Sequence, residues 1–311
     1  MFEAQQQQIT DSLKAPLASR SWLIIGAKGI GKKSFAESLI QTLTGRTQTY
    51  NPCVKWVQCN YTETAQKEIQ KAILAGEIPE EKDWARKSEI TVEDVQNATH
   101  FLSLKSDTIK ILIFNLADDM NENAQNALLK TLEEPYPSSL ILLLSENPGH
   151  LLPTILSRCQ KTHLLPPSSE EFIKALQQKH PELTDADLKE LGFLSNRIVG
   201  AAEKILQQDG LNFYHELNQL LDTKTSLNSA MLLSFSERAT GNDELFQIIK
   251  ESLLMNVHLL SKQSVITSLE KAHALSELYT RLQRQFDEVA SKNLDKKQNL
   301  ISAILQTREA L

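Results

Sequence analysis

The chain has 311 residues, 41% of them hydrophobic and 23% charged, with a formal net charge of −6. That length supports two or three domains with their own cores, and only ten glycines and ten prolines favour a helix-rich chain over a β-sandwich. The acidic balance excludes bulk electrostatic attraction to nucleic acid, so any such contact has to come from a local patch or from partner chains.

The first residues, MFEAQQQQITDS, lack the apolar core of a signal peptide. No later apolar run approaches the ~20 residues of a membrane helix, so a cytoplasmic protein without a membrane partner is expected. Residues 4–18 predict a short polar helix, with Gln5–Gln8 as its solvated face. Trp22-Leu23-Ile24-Ile25 reads as a buried strand that runs into Gly26-Ala27-Lys28-Gly29-Ile30-Gly31-Lys32-Lys33-Ser34. A helix continues to about Thr44, with Gly45 as its stop. The loop fits G-x-x-x-x-G-K, the phosphate cradle of P-loop proteins. Gly26, Gly29 and Gly31 let backbone N–H groups wrap an anion, and Lys32 reaches the terminal phosphates. The next position calls for Ser or Thr to hold Mg²⁺. Lys33 stands there, and Ser34 is one residue late, about 100° around the helix. The P-loop fold is therefore expected and ATP binding is left open; the alternative is a tight turn with solvated lysines.

Cys53 to Cys59 alternates like a strand. Two cysteines without a second pair nearby make a poor zinc site, and an odd total, with Cys159 the third, suits a reducing compartment. Zinc is not expected. Glu63 to Trp84 reads as helical and charged, with a break at Gly76 and Pro79. Thr91 and Asp94 form a capping box for a helix to about Leu104. The strand Ile111–Phe114 then meets Asn115 and Leu116, where a working P-loop ATPase carries the acid that positions Mg²⁺ and the one that polarises water. Neither residue can do so. Asp118 and Asp119 read as helix-start or surface residues. A helix from Asn121 to Glu134, a strand from Leu140 to Leu144, and LLPTILSRCQ follow, with Pro153 opening a short helix that leads to Ser157-Arg158-Cys159. The β/α alternation predicts a mostly parallel sheet with helices on both faces. Ligands bind outside the carboxyl ends of such strands, where the Gly/Lys loop and Asn115 both fall.

His163–Ser169 is a Pro-containing linker, and Ser168 with Glu171 caps the next helix. Helices over 170–180, 185–194 and 200–208 form a small unit. Beyond Gln208-Asp209-Gly210, helical periodicity fills 211–222, 226–237, 242–261, 264–290 and 296–310. Stripes such as Leu253, Leu254, Val257, Leu260 and Leu269, Ala272, Leu275, Leu278, Leu282 predict bundle core. The expected domains are an α/β P-loop module (1–165), a helical lid (166–209) and an all-α C-terminal domain (210–311).

NALLKTLEEP followed by LLPTILSRCQ resembles the bacterial clamp-loader family, the AAA+ subunits of the DNA polymerase III holoenzyme, whose SRC motif matches Ser157-Arg158-Cys159. The three-part layout covers the whole chain. The resemblance implies an AAA+ module, a lid and a helical C-terminal collar for oligomerisation. Within the family the chain is nearer to the stator, which does not hydrolyse ATP, than to the gamma/tau subunit, which carries acids where Asn115 and Leu116 stand. Asn293-Leu294-Asp295 also resembles a stator pattern. The implied role is to present Arg158 in trans to the nucleotide of an adjacent gamma/tau subunit. The implied partners are gamma/tau and delta, with the sliding clamp and primer–template DNA met through the complex. Lys130 is then a candidate phosphate contact, against the simpler reading of a solvated lysine. Three departures stand out: Lys33, only two cysteines where the family has a four-cysteine zinc module, and Gly200 where it has a sensor arginine. Two other functions remain open, an ATP-hydrolysing gamma/tau-like subunit and an AAA+ DNA-binding or recombination protein.

Overall fold

The strands β3 (Lys110–Phe114) and β4 (Ser139–Ser145) have every residue buried. Such unbroken apolar runs belong to parallel strands covered on both faces. In the computed structural model they pair in parallel at the centre of a five-stranded sheet, ordered β2-β3-β4-β1-β5, with β1 at Ser21–Ile25, β2 at Val54–Val57 and β5 at Gln160–His163. The structure describes residues 2–14, 20–46, 51–62, 65, 87–106, 108–292 and 294–311. The helix expected over 63–84 thus lies outside the described residues apart from Ala65, and so does Asn293. Two units result, Met1–Leu165 and Pro166–Leu311.

In the first unit, helices α1 (Glu3–Ser12), α2 (Lys32–Thr44), α3 (Val92–Ser103), α4 (Glu122–Glu133) and the single turn α5 (Pro153–Leu156) accompany the sheet. The capping box of Thr91 and Asp94 opens α3, and Gly45 ends α2 at a φ of 67°. Lys110, at the start of β3, is buried because its ammonium donates to the carbonyls of Phe101 and Leu104 at the end of α3. That is where a helix dipole favours a cation. β5 was not foreseen from the sequence. It is an edge strand of polar residues with only Thr162 buried, and edges of this kind are blunted by exposed lysine, here Lys161.

Gln125 on α4 is buried and fully engaged. Its Nε2 donates to Met120 O at 3.0 Å and His150 O at 3.1 Å, and its Oε1 accepts from Leu152 N at 2.7 Å. One side chain thus ties α4 to the segment that leads into α5.

Among the described residues the second unit holds helices and no strand. Helices α6 (Ser169–Lys179), α7 (Asp185–Leu194) and α8 (Val199–Gln207) pack around Phe172, Leu176, Leu188 and Leu191. A separate core, including Phe235, Leu253, Leu275 and Leu300, joins α9 (Gly210–Leu221), α10 (Ser229–Thr240), α11 (Asp243–Thr267), α12 (Leu269–Lys292) and α13 (Lys296–Ala310). Ser168 with Glu171 and Thr184 with Asp187 form capping boxes. Most of the predicted stripe residues are core, but Leu269 is 75% exposed because it opens α12 at the turn of a long hairpin. Among the described residues no helix is long and apolar enough to cross a membrane.

Replacing Gln125 by Leu removes three hydrogen bonds and strands a buried N–H and two carbonyls. We expect a loss of about 3 kcal/mol, read as a lower urea midpoint at unchanged m-value. A midpoint equal to wild type would show that the amide holds nothing together.

Candidate functional site

The loop between β1 and α2 has the backbone that its glycines predict. Gly29 and Gly31 have φ of 80° and 101°, and α2 starts at Lys32. Gly26 is needed for closeness. A Cβ there would lie 2.9 Å from Ile30 Cγ2 and 3.2 Å from the Leu164 carbonyl oxygen. Lys32 is only 7% exposed. Its Nζ donates to Gly26 O at 2.8 Å, Ala27 O at 3.0 Å and Glu146 Oε1 at 3.1 Å. An ammonium has three protons to donate, and all three are engaged within the chain. Lys33 and Ser34 point away as exposed residues of the first turn of α2.

Glu146 follows the last residue of β4, whose partner across the ladder is Ile25 and whose carbonyl receives Gly26 N–H at 3.1 Å. The carboxylate is therefore delivered beside the loop by strand register. Asp118 fixes its backbone, because Oδ1 accepts from Ser145 Oγ at 2.6 Å and Oδ2 from Glu146 N at 2.5 Å and Asn147 N at 3.0 Å. Asp118 and Asp119 lie in a 3₁₀ turn, Ala117–Asp119, and neither is a free surface residue. Burial raises the Asp119 carboxyl above the usual range, offset in part by the thiol of Cys59 that donates to it at 3.3 Å. Asn115 directly follows β3, its N–H donating to Val57 O at 2.9 Å. Asn115 and Leu116 are where the sequence placed them, at the carboxyl ends of the central strands, and neither supplies a carboxylate.

Arg158 follows α5 and is 33% exposed. Its Nε donates to Glu133 Oε1 on α4 at 2.9 Å and its Nη1 to Thr154 O at 3.0 Å. Nη2 reaches the same Glu133 oxygen at 2.5 Å. Ser157 Oγ also donates to Thr154 O, at 3.0 Å. The arginine thus caps its own helix and is also paired. Cys159 is part of the hydrophobic core, where burial pushes its thiol up to about 12. Its role in the triplet is packing. Cys53 and Cys59 have separate partners, Thr108 Oγ1 and Asp119. Among the described residues no group of three or more His, Cys, Asp or Glu side chains is placed to hold a metal ion. Lys130 is exposed on α4, and Gly200 is the second residue of α8. The residues missed from sequence are Glu146, Asp118, Glu133 and Gln125. Only Glu146 carried a signal, as a charge directly after an apolar strand at the edge where ligands bind.

The family described as DNA polymerase III, delta subunit, matches residues 2–168, over half of the chain. A DNA polymerase III subunit delta′ from Pseudomonas aeruginosa is 32% identical over 57% of this chain and 52% of its own. The Bacillus subtilis subunit delta′ is 30% identical over 48% and 43%. A DNA polymerase III subunit gamma from Buchnera aphidicola is 28% identical over 54% and 45%. The chain spans about half the length of the curated relatives it matches. Among solved structures, a gamma subunit-related protein from Thermotoga maritima covers 98% of this chain and 99% of its own at 17% identity and a TM-score of 0.49.

A thiol with a pKa of about 12 is ionised to only about one part in ten thousand at pH 8. Cys159 should therefore resist Ellman's reagent in the folded protein and react once urea unfolds it, while the more exposed Cys53 reacts first. Rapid modification of native Cys159, located by peptide mapping, would contradict its place in the core.

Proposed function

The chain belongs to the DNA polymerase III delta-subunit family, of delta-prime type, and from that membership we propose that it is the non-hydrolysing stator of a replicative clamp loader. In this role it assembles with gamma/tau and delta subunits, and the complex loads the sliding clamp on primed DNA during replication. The observation that carries this reading is the set of groups at the carboxyl edge of the sheet. Hydrolysis needs a carboxylate at the end of β3, and Asn115 and Leu116 stand there. Phosphate binding needs the P-loop lysine, and all three protons of Lys32 are matched by Gly26, Ala27 and Glu146. The chain on its own is then no ATPase.

The catalytic contribution is Arg158, offered in trans to nucleotide on a neighbouring gamma/tau subunit. A guanidinium set against the γ-phosphate offsets charge that develops in the transition state. To reach it, Arg158 gives up Glu133 and Thr154 O. A half-exposed ion pair is worth about 1 kcal/mol or less, and a charged hydrogen bond roughly 1.5–3 kcal/mol. Arginine fingers are worth about 10³–10⁵ in rate, or roughly 4–7 kcal/mol. The finger's gain exceeds that cost. Relatives named gamma and tau match as well, which keeps an ATP-hydrolysing reading in view, but Asn115 and Leu116 oppose it.

In a complex reconstituted with gamma/tau and delta, Arg158→Ala should leave assembly intact and lower the rate of the adjacent ATPase site by about 10³ or more. Arg158→Lys should recover little, since it lacks the planar fork. An unchanged rate would remove the finger. Turnover by the isolated chain would instead favour the ATP-hydrolysing reading.

The Lys32–Glu146 pair yields a separate expectation. Glu146→Ala leaves one Nζ proton unmatched, and the isolated chain should then bind ATP about tenfold or more tightly than wild type by calorimetry. Equal affinities would show that the pair does not close the loop.

A further inference from the structure

A cleft of about 710 Å³ opens within the second unit beside α6, α7 and α11. That volume lies in the range of built ligand sites. Its lining is apolar at Phe172, Met255 and Leu259, and it carries the cations Lys189, Arg197 and Lys262 with no acidic side chain among the described residues. None of the three cations has an ion pair among the described residues. In a chain of net charge −6, three unmatched cations around one cleft are a local reversal of sign. Arg197 is set there by the end of α7, where Asn196 and Arg197 take φ of 49° and 60° and Arg197 N–H donates to Gly192 O at 2.8 Å.

The cleft does not end at its own rim. Met255, Leu259, Lys262 and Ile266 are spaced i, i+4, i+7 and i+11 along α11, so they share one face over about 16 Å. Ile266 is 90% exposed, and Val265 and Leu269 beside it are 57% and 75% exposed. A small anion would match the cations and leave this row in water. A nucleic-acid backbone would do the same. An acidic amphipathic helix satisfies both, laying its apolar side along the row and its carboxylates against the cations.

We infer that the cleft and the α11 row form a docking groove for an acidic amphipathic helical segment of a partner chain. The segment's apolar side covers Met255, Leu259 and Ile266, and its carboxylates meet Lys189, Arg197 and Lys262. This groove does not depend on the stator reading, since it uses neither the P-loop nor Arg158.

The test uses the 311-residue chain and three fluorescent probes: a synthetic helix of Glu and Leu with an apolar stripe matched to α11, the same helix with Lys for every Glu, and a single-stranded oligonucleotide. Anisotropy should show binding of the acidic helix alone, weakening with salt. The triple variant Lys189→Glu, Arg197→Glu, Lys262→Glu and the separate variant Ile266→Asp should each lower that affinity by about tenfold or more. All four positions are on the surface or at the cleft rim, and an unchanged melting curve checks that the variants fold. Failure of the acidic helix to bind, or binding that neither variant alters, would overturn the groove. Preferential binding of the oligonucleotide would overturn it too, and would assign the cations to nucleic acid.

Discussion

A buried ammonium with every proton matched from inside the chain organises the loop between β1 and α2. Lys32 is surrounded by the carbonyls of Gly26 and Ala27 and the carboxylate of Glu146. The loop keeps the positive φ values of Gly29 and Gly31 that a phosphate cradle requires, yet the anion facing its lysine is part of the protein. Such a pair resists disruption. Lys32 is the buried partner of the two, so removing Glu146 leaves a desolvated ammonium short of one acceptor. The shape of the P-loop is thereby retained without a phosphate to hold it.

The same short stretch of chain governs the arginine. Ser145 to Asn147 is tied by Asp118, His150 to Leu152 by Gln125, and Arg158 by Glu133. Every anchor comes from the segment between β3 and the end of α4. Residues 145–158 are therefore a strap laid across one structural block, with the lysine's counter-ion near its start and the guanidinium at its end. The ordering rests on hydrogen bonds to a single buried amide and two acids, so it is sensitive to change at Gln125, Asp118 and Glu133 and indifferent to most of the rest of the exposed face of α4.

Much of this was legible in the sequence. The parallel sheet followed from β/α alternation, the capping boxes at Thr91 and Ser168 lie where side-chain chemistry places them, and the absence of acids at Asn115 and Leu116 needs only the strand that precedes them. What escaped was pairing across distance. Glu146 is 114 residues from Lys32, and nothing in local spacing joins them until the register of β1 with β4 is known. Glu133 hides for the same reason, as one acid among several on a polar helix face. β5 escaped because an edge strand of polar residues has no apolar run to announce it, and Leu269 misled because a helical stripe says nothing about where a hairpin turns.

In the proposed stator role these observations bear on one another. A hydrolysing subunit must let phosphate arrive and leave, and its loop and neighbouring turns have to accommodate both states. Here the counter-ion is covalently part of the chain, so residues 145–158 have no such cycle to follow. An arginine that acts on another chain's substrate benefits from this. Its effect depends on orientation, and small displacements are costly because the transition state rewards only a narrow geometry. A strap whose backbone is held by Asp118 near its start and by Gln125 further along would present Arg158 from one place, with only the side chain leaving Glu133. On the proposed stator reading, the internal anion that meets the P-loop lysine belongs to the same segment that carries the guanidinium, so one strap serves both ends.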